Sequence, residues 1–339
     1  MSHIFVLGSG GFGTALAVMA HKYGQHVTLW SAFQEEIDEI RFYGENKKKL
    51  PGVAVGIAIE LTTQISEVKG ADIAILAVPS FAVRSVARQL AALIDPKTIV
   101  VNVAKGLEAD TLKRFSEVIE EELPHNPVVV LSGPSHAEEI ARGVPTTVVV
   151  SSKDRKSAEY VQEHLGNPTL RIYVNDDIIG VELGGALKNI IALCAGICDG
   201  MSLGDNAKAA LMTRGLAEIG RLGTALGAKP ETFAGLAGVG DLIVTCTSMH
   251  SRNRRAGILI GQGLSAEEAA ERVGMVVEGI SATKAAYQLA KKMKIEMPIV
   301  EQLYGIICEK TDIRTALKNL MGRAQRHENE KVWLEASSK

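Results

Sequence analysis

Two lysines and a run of arginines carry most of the chemistry in this sequence. Lys188 stands inside the apolar run Val181-Glu182-Leu183-Gly184-Gly185-Ala186-Leu187-Lys188-Asn189-Ile190-Ile191-Ala192-Leu193, whose spacing predicts a long buried helix. Burying an ammonium is costly unless it is paired or put to use. A desolvated lysine titrates near neutrality and can give or take a proton there. A lysine at a helix edge instead reaches water along its aliphatic stem, and the pattern leaves both readings open. Ser251-Arg252-Asn253-Arg254-Arg255 sets three guanidinium groups just after the glycine-rich Gly235 to Gly240 and Asp241. Guanidinium forks suit phosphate, and Ser and Asn add donors; a solvated helix face is the alternative. Lys105 follows a predicted strand, where it can hold a substrate oxygen or remain a surface lysine. Glu278, in Met275-Val276-Val277-Glu278-Gly279, has the ordinary role of a helix N-terminal acid as its other reading.

These groups need a scaffold, and the first residues announce one. Ile4-Phe5-Val6-Leu7 is a short apolar strand that runs into Gly8-Ser9-Gly10-Gly11-Phe12-Gly13, followed by the helix-forming Thr14 to Ala20. Strand, G-x-G-x-x-G and helix in that order are the context of a dinucleotide-binding turn. Gly8 permits the tight turn, Gly10 lets the backbone approach a pyrophosphate, and Gly13 lets the helix pack on the strand. The free N–H groups and the positive end of that helix then face the phosphates.

Gln25 to Trp30 reads as the second strand. Its tip is where an acid would bind the ribose hydroxyls of NAD, or an arginine the 2′-phosphate of NADP. Ser31, Ala32, Phe33 and Gln34 supply neither, so the expected cofactor is NAD or NADP without a clear choice. Further strands are expected at Ala71–Pro79, Thr98–Val103, Val128–Leu131 and Thr146–Ser151, with Ser80 capping a helix from Phe81 to Ala92. Their near-continuous apolar runs suit parallel strands buried on both faces. Ligands lie beyond the carboxyl ends of such strands, which is where Lys105 and Gly133-Pro134-Ser135 fall.

Composition changes near Leu170 to Tyr173, and from Asp176 apolar residues recur at helical spacing. Helices are expected at 206–226, closed by Gly227, and at 266–272, 281–292, 299–308 and 315–320. The reading is therefore an α/β dinucleotide-binding domain over 1–175, with a Rossmann-like, mostly parallel sheet, followed by an all-α substrate and catalytic domain over 176–339. The last ten residues or so are polar and expected to fray.

Composition narrows the classes. A chain of 339 residues can bury a large core. Its net charge of −2 gives no basic surface for nucleic acid, and Lys47-Lys48-Lys49 before Pro51-Gly52 reads as a solvated loop rather than a binding patch. Cys194, Cys198, Cys246 and Cys308 form no C-x-x-C pair and read as buried free thiols, as in a reducing cytoplasm. The histidines show no metal-ligand spacing, so no metal site is expected. Met1-Ser2-His3 leads straight into the first strand, leaving no room for a signal peptide, and no apolar stretch of about twenty residues is seen, so no membrane insertion is expected.

Taken together, the motifs carry a resemblance over nearly the whole chain. Gly8 to Ala17, Lys105-Gly106-Leu107-Glu108, Ser132-Gly133-Pro134-Ser135, Glu182 to Asn189, Gly238-Val239-Gly240-Asp241-Leu242, Ser251 to Arg255 and Val277-Glu278-Gly279 occur in the order found in bacterial NAD(P)-dependent glycerol-3-phosphate dehydrogenases, which the chain resembles. The resemblance implies reversible reduction of dihydroxyacetone phosphate to sn-glycerol 3-phosphate by NADPH or NADH, for glycerophospholipid synthesis in the cytoplasm. By the same resemblance, Lys188 is the general acid/base, and Lys105, Gly133, Ser135, Lys188, Asp241, Ser251, Arg252 and Asn253 contact substrate. Gly8, Gly10, Gly11, Phe12, Gly13, Ala32, Lys105, Ala137, Arg252, Val276 and Glu278 contact cofactor. Ala32 departs from the polar or basic residue that many relatives carry. The apolar helical half makes a homodimer plausible. Two other readings stay open from the residues alone: a related two-domain dehydrogenase acting on another hydroxy acid, and a non-catalytic NAD(P)-binding sensor.

Overall fold

In the computed structural model, which describes residues 1–325 and 328, Ile4 to Leu7 form the centre of a strand buried on both faces. This strand, β1 (His3–Leu7), pairs in parallel with β2 (His26–Trp30) on one side and β4 (Ile73–Leu76) on the other. With β3 (Glu60–Thr62), β5 (Ile99–Asn102), β6 (Val128–Ser132), β7 (Thr146–Ser152) and β8 (Leu170–Asn175) they make one eight-stranded sheet in the order β3-β2-β1-β4-β5-β6-β7-β8. The first six strands run parallel; β7 is antiparallel to β6, and β8 parallel to β7. The expected mostly parallel, Rossmann-like sheet is thus present, with one reversal.

The pleat divides β1 between two cores. Ile4 and Val6 join a cluster with α1 (Gly11–Lys22), α2 (Gln34–Tyr43), α5 (Ala137–Arg142) and α6 (Arg155–Leu165). Phe5 and Leu7 join a second with α3 (Val83–Leu90) and α4 (Phe115–Glu122). Helices on both faces explain the unbroken apolar strands. β3 has only three residues and was not foreseen, and Leu170 to Tyr173, read as a change of composition, begin β8. Ser80 does not cap a helix: it opens a 3-10 turn, Ser80–Ala82, and α3 starts after Ala82.

The remaining helices are α7 (Ile178–Gly200), α8 (Asp205–Ala225), α9 (Pro230–Phe233), α10 (Asp241–Thr247), α11 (Arg252–Gly261), α12 (Ala266–Val273), α13 (Glu278–Met293), α14 (Pro298–Cys308) and α15 (Ile313–Met321). They enclose one apolar core of their own, and no strand occurs among the described residues there. The polar tail expected to fray lies outside the described residues. By its contacts the chain forms two compact units, one of Met1–Ala104 with Lys113–Ile178, the other of Lys105–Leu112 with the chain from Ile179 onward. Leu107 and Leu112 explain the excursion, since both pack into the helical core.

α7 is long and apolar enough to cross a membrane by length and composition, contrary to the expectation that no such stretch exists. Nonetheless 94% of its most apolar 18-residue window is buried within the protein. Its glycines explain how it packs. A Cβ at Gly196 or Gly200 would collide with the carbonyls of Arg254 or Ile258 on α11, and one at Gly257 or Gly261 with those of Leu193 or Ile197 on α7. Two glycines four residues apart on each helix let the backbones touch.

The four cysteines are free, but only Cys194 and Cys246 are buried; Cys308 is exposed. The histidines are less scattered than their spacing suggests. His3, His26 and Glu60, on adjacent strands, bring ligand atoms within 4.8 Å of one another, a grouping able to hold a metal ion.

Candidate active site

The glycine turn lies beyond the carboxyl end of β1. Gly8 takes φ +120°, closed to most side chains, and its N–H donates to Trp30 O at 2.9 Å. A Cβ at Gly13 would collide with Gly8 O and stand 3.0 Å from Ala77 Cβ, so only glycine lets α1 approach the strand this closely. A Cβ at Gly10 would meet nothing nearer than Ala77 O at 4.0 Å. The space above Gly10 is therefore open, as a cradle for a pyrophosphate requires. Gly11 and Phe12 follow as the first residues of α1, with Ala137 near Gly11. Gly133, buried with φ +116°, and Ser135, whose hydroxyl donates to Gly133 O at 2.8 Å, follow β6 on the same edge of the sheet. The glycine turn, with the open space at Gly10, fits a dinucleotide.

Ala32 is exposed just past β2, where no acid or arginine was expected. The structure corrects this. Glu36, in the first turn of α2, reaches back so that its carboxylate accepts from the hydroxyls of Ser31, at 2.8 Å, and Ser9, and from the ammonium of Lys49. Those donors hold the Glu36 carboxyl below its ordinary range although burial pushes it up. Nor is the lysine run simply a solvated loop. Lys48 pairs with Glu39, Lys49 is half-buried on Glu36, and Lys47 lies 3.6 Å from the centre of the Tyr43 ring.

A second cluster forms within the helical unit. Lys188 projects from α7 with 7% of its side chain exposed, so it does not reach out to water. Its ammonium donates to Asp241 Oδ1 and, at 2.7 Å, to the Thr245 hydroxyl. Lys105 holds the other oxygen, Asp241 Oδ2, at 2.7 Å. Thr245, one turn beyond Asp241, fixes itself by donating to Asp241 O at 2.6 Å. The glycines flanking these groups place them. A Cβ at Gly184 would collide with Ala237 O, so α7 rests directly on the π-helical turn Leu236–Gly240 that delivers Asp241 to Lys188.

Burial removes the water that would solvate the Lys188 ammonium, and Lys105 repels it; both outweigh the attraction of Asp241. The result is a pKa lowered to about 7. Such a group exchanges a proton near neutral pH.

The arginine run forms the start of α11. Ser251 caps this helix, its hydroxyl accepting from Arg254 N at 3.2 Å, and is buried. Arg254 is committed to structure: it binds Asp199 at 2.8 Å and Thr247 O at 2.6 Å. Asn253 is a buried joint. Its amide donates to Asn189 at 2.9 Å, and its oxygen accepts from Gly279 N at 2.8 Å. That bond ties Asn253 to α13, which Glu278 begins and Val276 shortly precedes. The helical unit thus brings together Lys105, Lys188 and Asp241 directly, and joins Asn253 to the residue after Glu278. Sequence reasoning missed Thr245, Asn189, Glu36 and Lys49. The four-residue step from Asp241 to Thr245 was the available signal for the first, whereas a carboxylate reaching back from the next helix gave none for Glu36.

Comparison with known proteins fits this arrangement. Models of the N-terminal and C-terminal parts of NAD-dependent glycerol-3-phosphate dehydrogenase match residues 3–158 and 177–318. A glycerol-3-phosphate dehydrogenase [NAD(P)+] of Moorella thermoacetica is 56% identical over 96% of this chain and 98% of its own length. Its counterpart from Desulfitobacterium hafniense is 53% identical over 98% of this chain and 95% of its own. The crystal structure of a Coxiella burnetii glycerol-3-phosphate dehydrogenase superposes with a TM-score of 0.92 at 40% identity, covering 95% of this chain and 99% of that one.

Proposed function

The chain belongs to the NAD-dependent glycerol-3-phosphate dehydrogenase family, and from that premise we propose that Lys188, poised on Asp241, is the acid/base of the reaction. The chain is an NAD(P)-dependent oxidoreductase that reduces dihydroxyacetone phosphate to sn-glycerol 3-phosphate, reversibly, and its product feeds glycerophospholipid synthesis. The bound nicotinamide supplies the hydride. As C2 of the ketone is reduced, its oxygen gains negative charge. Lys188 stabilises that charge and delivers its proton; in the reverse direction the neutral amine takes it back.

A single observation carries this assignment: a lysine 7% exposed, held by a carboxylate that a second lysine shares, with its pKa near 7. Asp241 orients both ammonium groups, and Lys105 offers a second donor to the substrate oxygens. Arg252 is assigned to the phosphate, with Ser251 and Asn253 fixing the start of its helix. Gly133 and Ser135 are assigned to the substrate as well, by the resemblance. Gly8, Gly10, Gly11, Phe12, Gly13, Ala32, Ala137, Val276 and Glu278, with Lys105 and Arg252, are assigned to the cofactor. The chain works in the cytoplasm as a homodimer, without membrane insertion.

The test is oxidation of NADH and NADPH with dihydroxyacetone phosphate and with unphosphorylated dihydroxyacetone, in the wild type and in Arg252→Ala. Phosphate-dependent oxidation, with a KM for the ketone phosphate that rises in the variant more than the cofactor KM does, supports the reading. Equal effects on both would remove Arg252 from the phosphate. No phosphate dependence in the wild type would favour another hydroxy acid as substrate, and no turnover at all the sensor reading.

A further inference from the structure

Three neighbouring strands begin with residues that the reaction leaves unused. His3 opens β1 and His26 opens β2, opposite each other in the parallel register, and Glu60 opens β3 beside them. The two imidazole rings lie 4.5 Å apart, centre to centre. His26 Nε2 stands 3.2 Å from Glu60 Oε1, and one ligand atom from each of the three residues lies within 4.8 Å of the others. Neighbouring groups hold the cluster in place. The Thr28 hydroxyl donates to the other carboxylate oxygen, Glu60 Oε2, at 2.8 Å, and stands 3.0 Å from His3 Nε2. Asp72 Oδ2 accepts from His3 N at 2.8 Å, which fixes the backbone of His3 and brings a second negative charge nearby. The side chains of His26 and Glu60 are 44% and 57% exposed, so an ion reaches them directly from solvent.

We propose that His3, His26 and Glu60 form a zinc site that clips the edge strand β3 to β1 and β2. Zinc takes imidazole nitrogen and carboxylate oxygen at about 2.0–2.2 Å in a tetrahedral array, whose ligand atoms stand about 3.3–3.6 Å from one another. The His26–Glu60 spacing is already close to this. Closing the rest needs about 1 Å, which a turn of an imidazole about its broad outer torsion supplies. Water completes the fourth position. The bond from Thr28 orients the carboxylate, as the outer partners of metal ligands do. Magnesium and calcium take oxygen ligands, so two imidazoles turn them away. The role is structural rather than catalytic. His3 stands at the far end of β1 from Gly8, about 16 Å away at roughly 3.3 Å per residue. β3 has three residues and ends the sheet, so a tie across β2 holds the strand with the least pairing of its own.

Metal binding and thermal melting test this apart from turnover. The chain, free of any histidine tag and stripped with EDTA, is titrated calorimetrically with zinc chloride, and its Tm is followed with and without the ion. One zinc per chain should bind, and Tm should rise with zinc concentration. His26→Gln and Glu60→Gln should each weaken binding about ten-fold or more and remove the rise in Tm. Cys308→Ser, which removes an exposed thiol able to take zinc elsewhere, should change neither. Magnesium chloride at the same concentration should leave Tm unchanged. Absence of saturable zinc binding, or a Kd within about two-fold of wild type in either His26→Gln or Glu60→Gln, would overturn the proposal and leave His26 and Glu60 as a surface ion pair. Loss of zinc binding in Cys308→Ser, or an equal rise in Tm with magnesium, would overturn it as well.

Discussion

Lys188 and Lys105 hold opposite oxygens of one carboxylate, that of Asp241. The arrangement sets two opposed influences on the Lys188 proton. Asp241 stabilises the charged ammonium, while burial and Lys105 destabilise it. With Lys188 as the proposed acid, reduction of the ketone draws on the protonated form. Its kcat/KM should therefore fall as pH rises through about 7, and the oxidation of glycerol phosphate should rise over the same range.

Removing either partner should move that limb in a predictable direction. Asp241→Asn takes away the attraction, so the limb should shift to lower pH, by about one unit or more. Lys105→Met takes away the repulsion, so it should shift to higher pH. Shifts in the same direction, seen in pH profiles of kcat/KM, would contradict the shared-carboxylate account.

Lys188→Ala should lower kcat by about 10² to 10⁴, the usual range for a general acid, with NADH still bound. Fluorescence titration of the nucleotide separates this from misfolding. Retention of near-normal turnover would return Lys188 to the role of a structural lysine.

The fold of the first unit was legible because periodicity and glycine chemistry are local. A strand buried on both faces needs an unbroken apolar run, and Ile73 to Leu76 supply one. β3 escaped because Glu60-Leu61-Thr62 carries only one large apolar residue and sits at the sheet edge. Lys188 was visible as a charge in an apolar run, but not its partner. Asp241 lies 53 positions away, and only the contact of Gly184 with Ala237 shows why they meet. At the tip of β2, adjacency in sequence shows Ala32, whereas Glu36 returns to Ser31 only once α2 has formed.

Glu218, buried on α8, accepts from the N–H groups of Ile299, at 2.8 Å, and Val300, at 3.4 Å, in the first turn of α14. Burial raises its carboxyl to about 7, against the pull of those two donors. A folded pKa above the unfolded 4.5 means that the folded chain binds the proton more tightly between these values. This contribution is present in full below about 4.5 and is lost as pH rises through about 7. Glu218→Gln should flatten the fall of Tm between pH 5 and 7; an unchanged slope in thermal melts would show that Glu218 is not its source.

Gly257→Ala should push α11 from α7, since the added methyl meets the carbonyl of Leu193. Overpacking of this kind costs typically about 1–3 kcal/mol. Because Arg252 and Asn253 start the same helix, the loss of Tm should come with a raised KM for the ketone phosphate. A stable variant with normal KM would mean that the two helices can part without disturbing the start of α11.

The polypeptide passes between its two compact units three times, at Ala104/Lys105, Leu112/Lys113 and Ile178/Ile179. No single cut therefore separates them cleanly. A fragment beginning at Asp176 would keep Lys188 and Asp241 but surrender Lys105, so the carboxylate would lose one of its two cations. For the same reason the halves are not interchangeable cassettes. Recombination that grafted a new nucleotide-binding half onto this helical half would carry in a foreign Lys105 loop and retune the Lys188 proton with it.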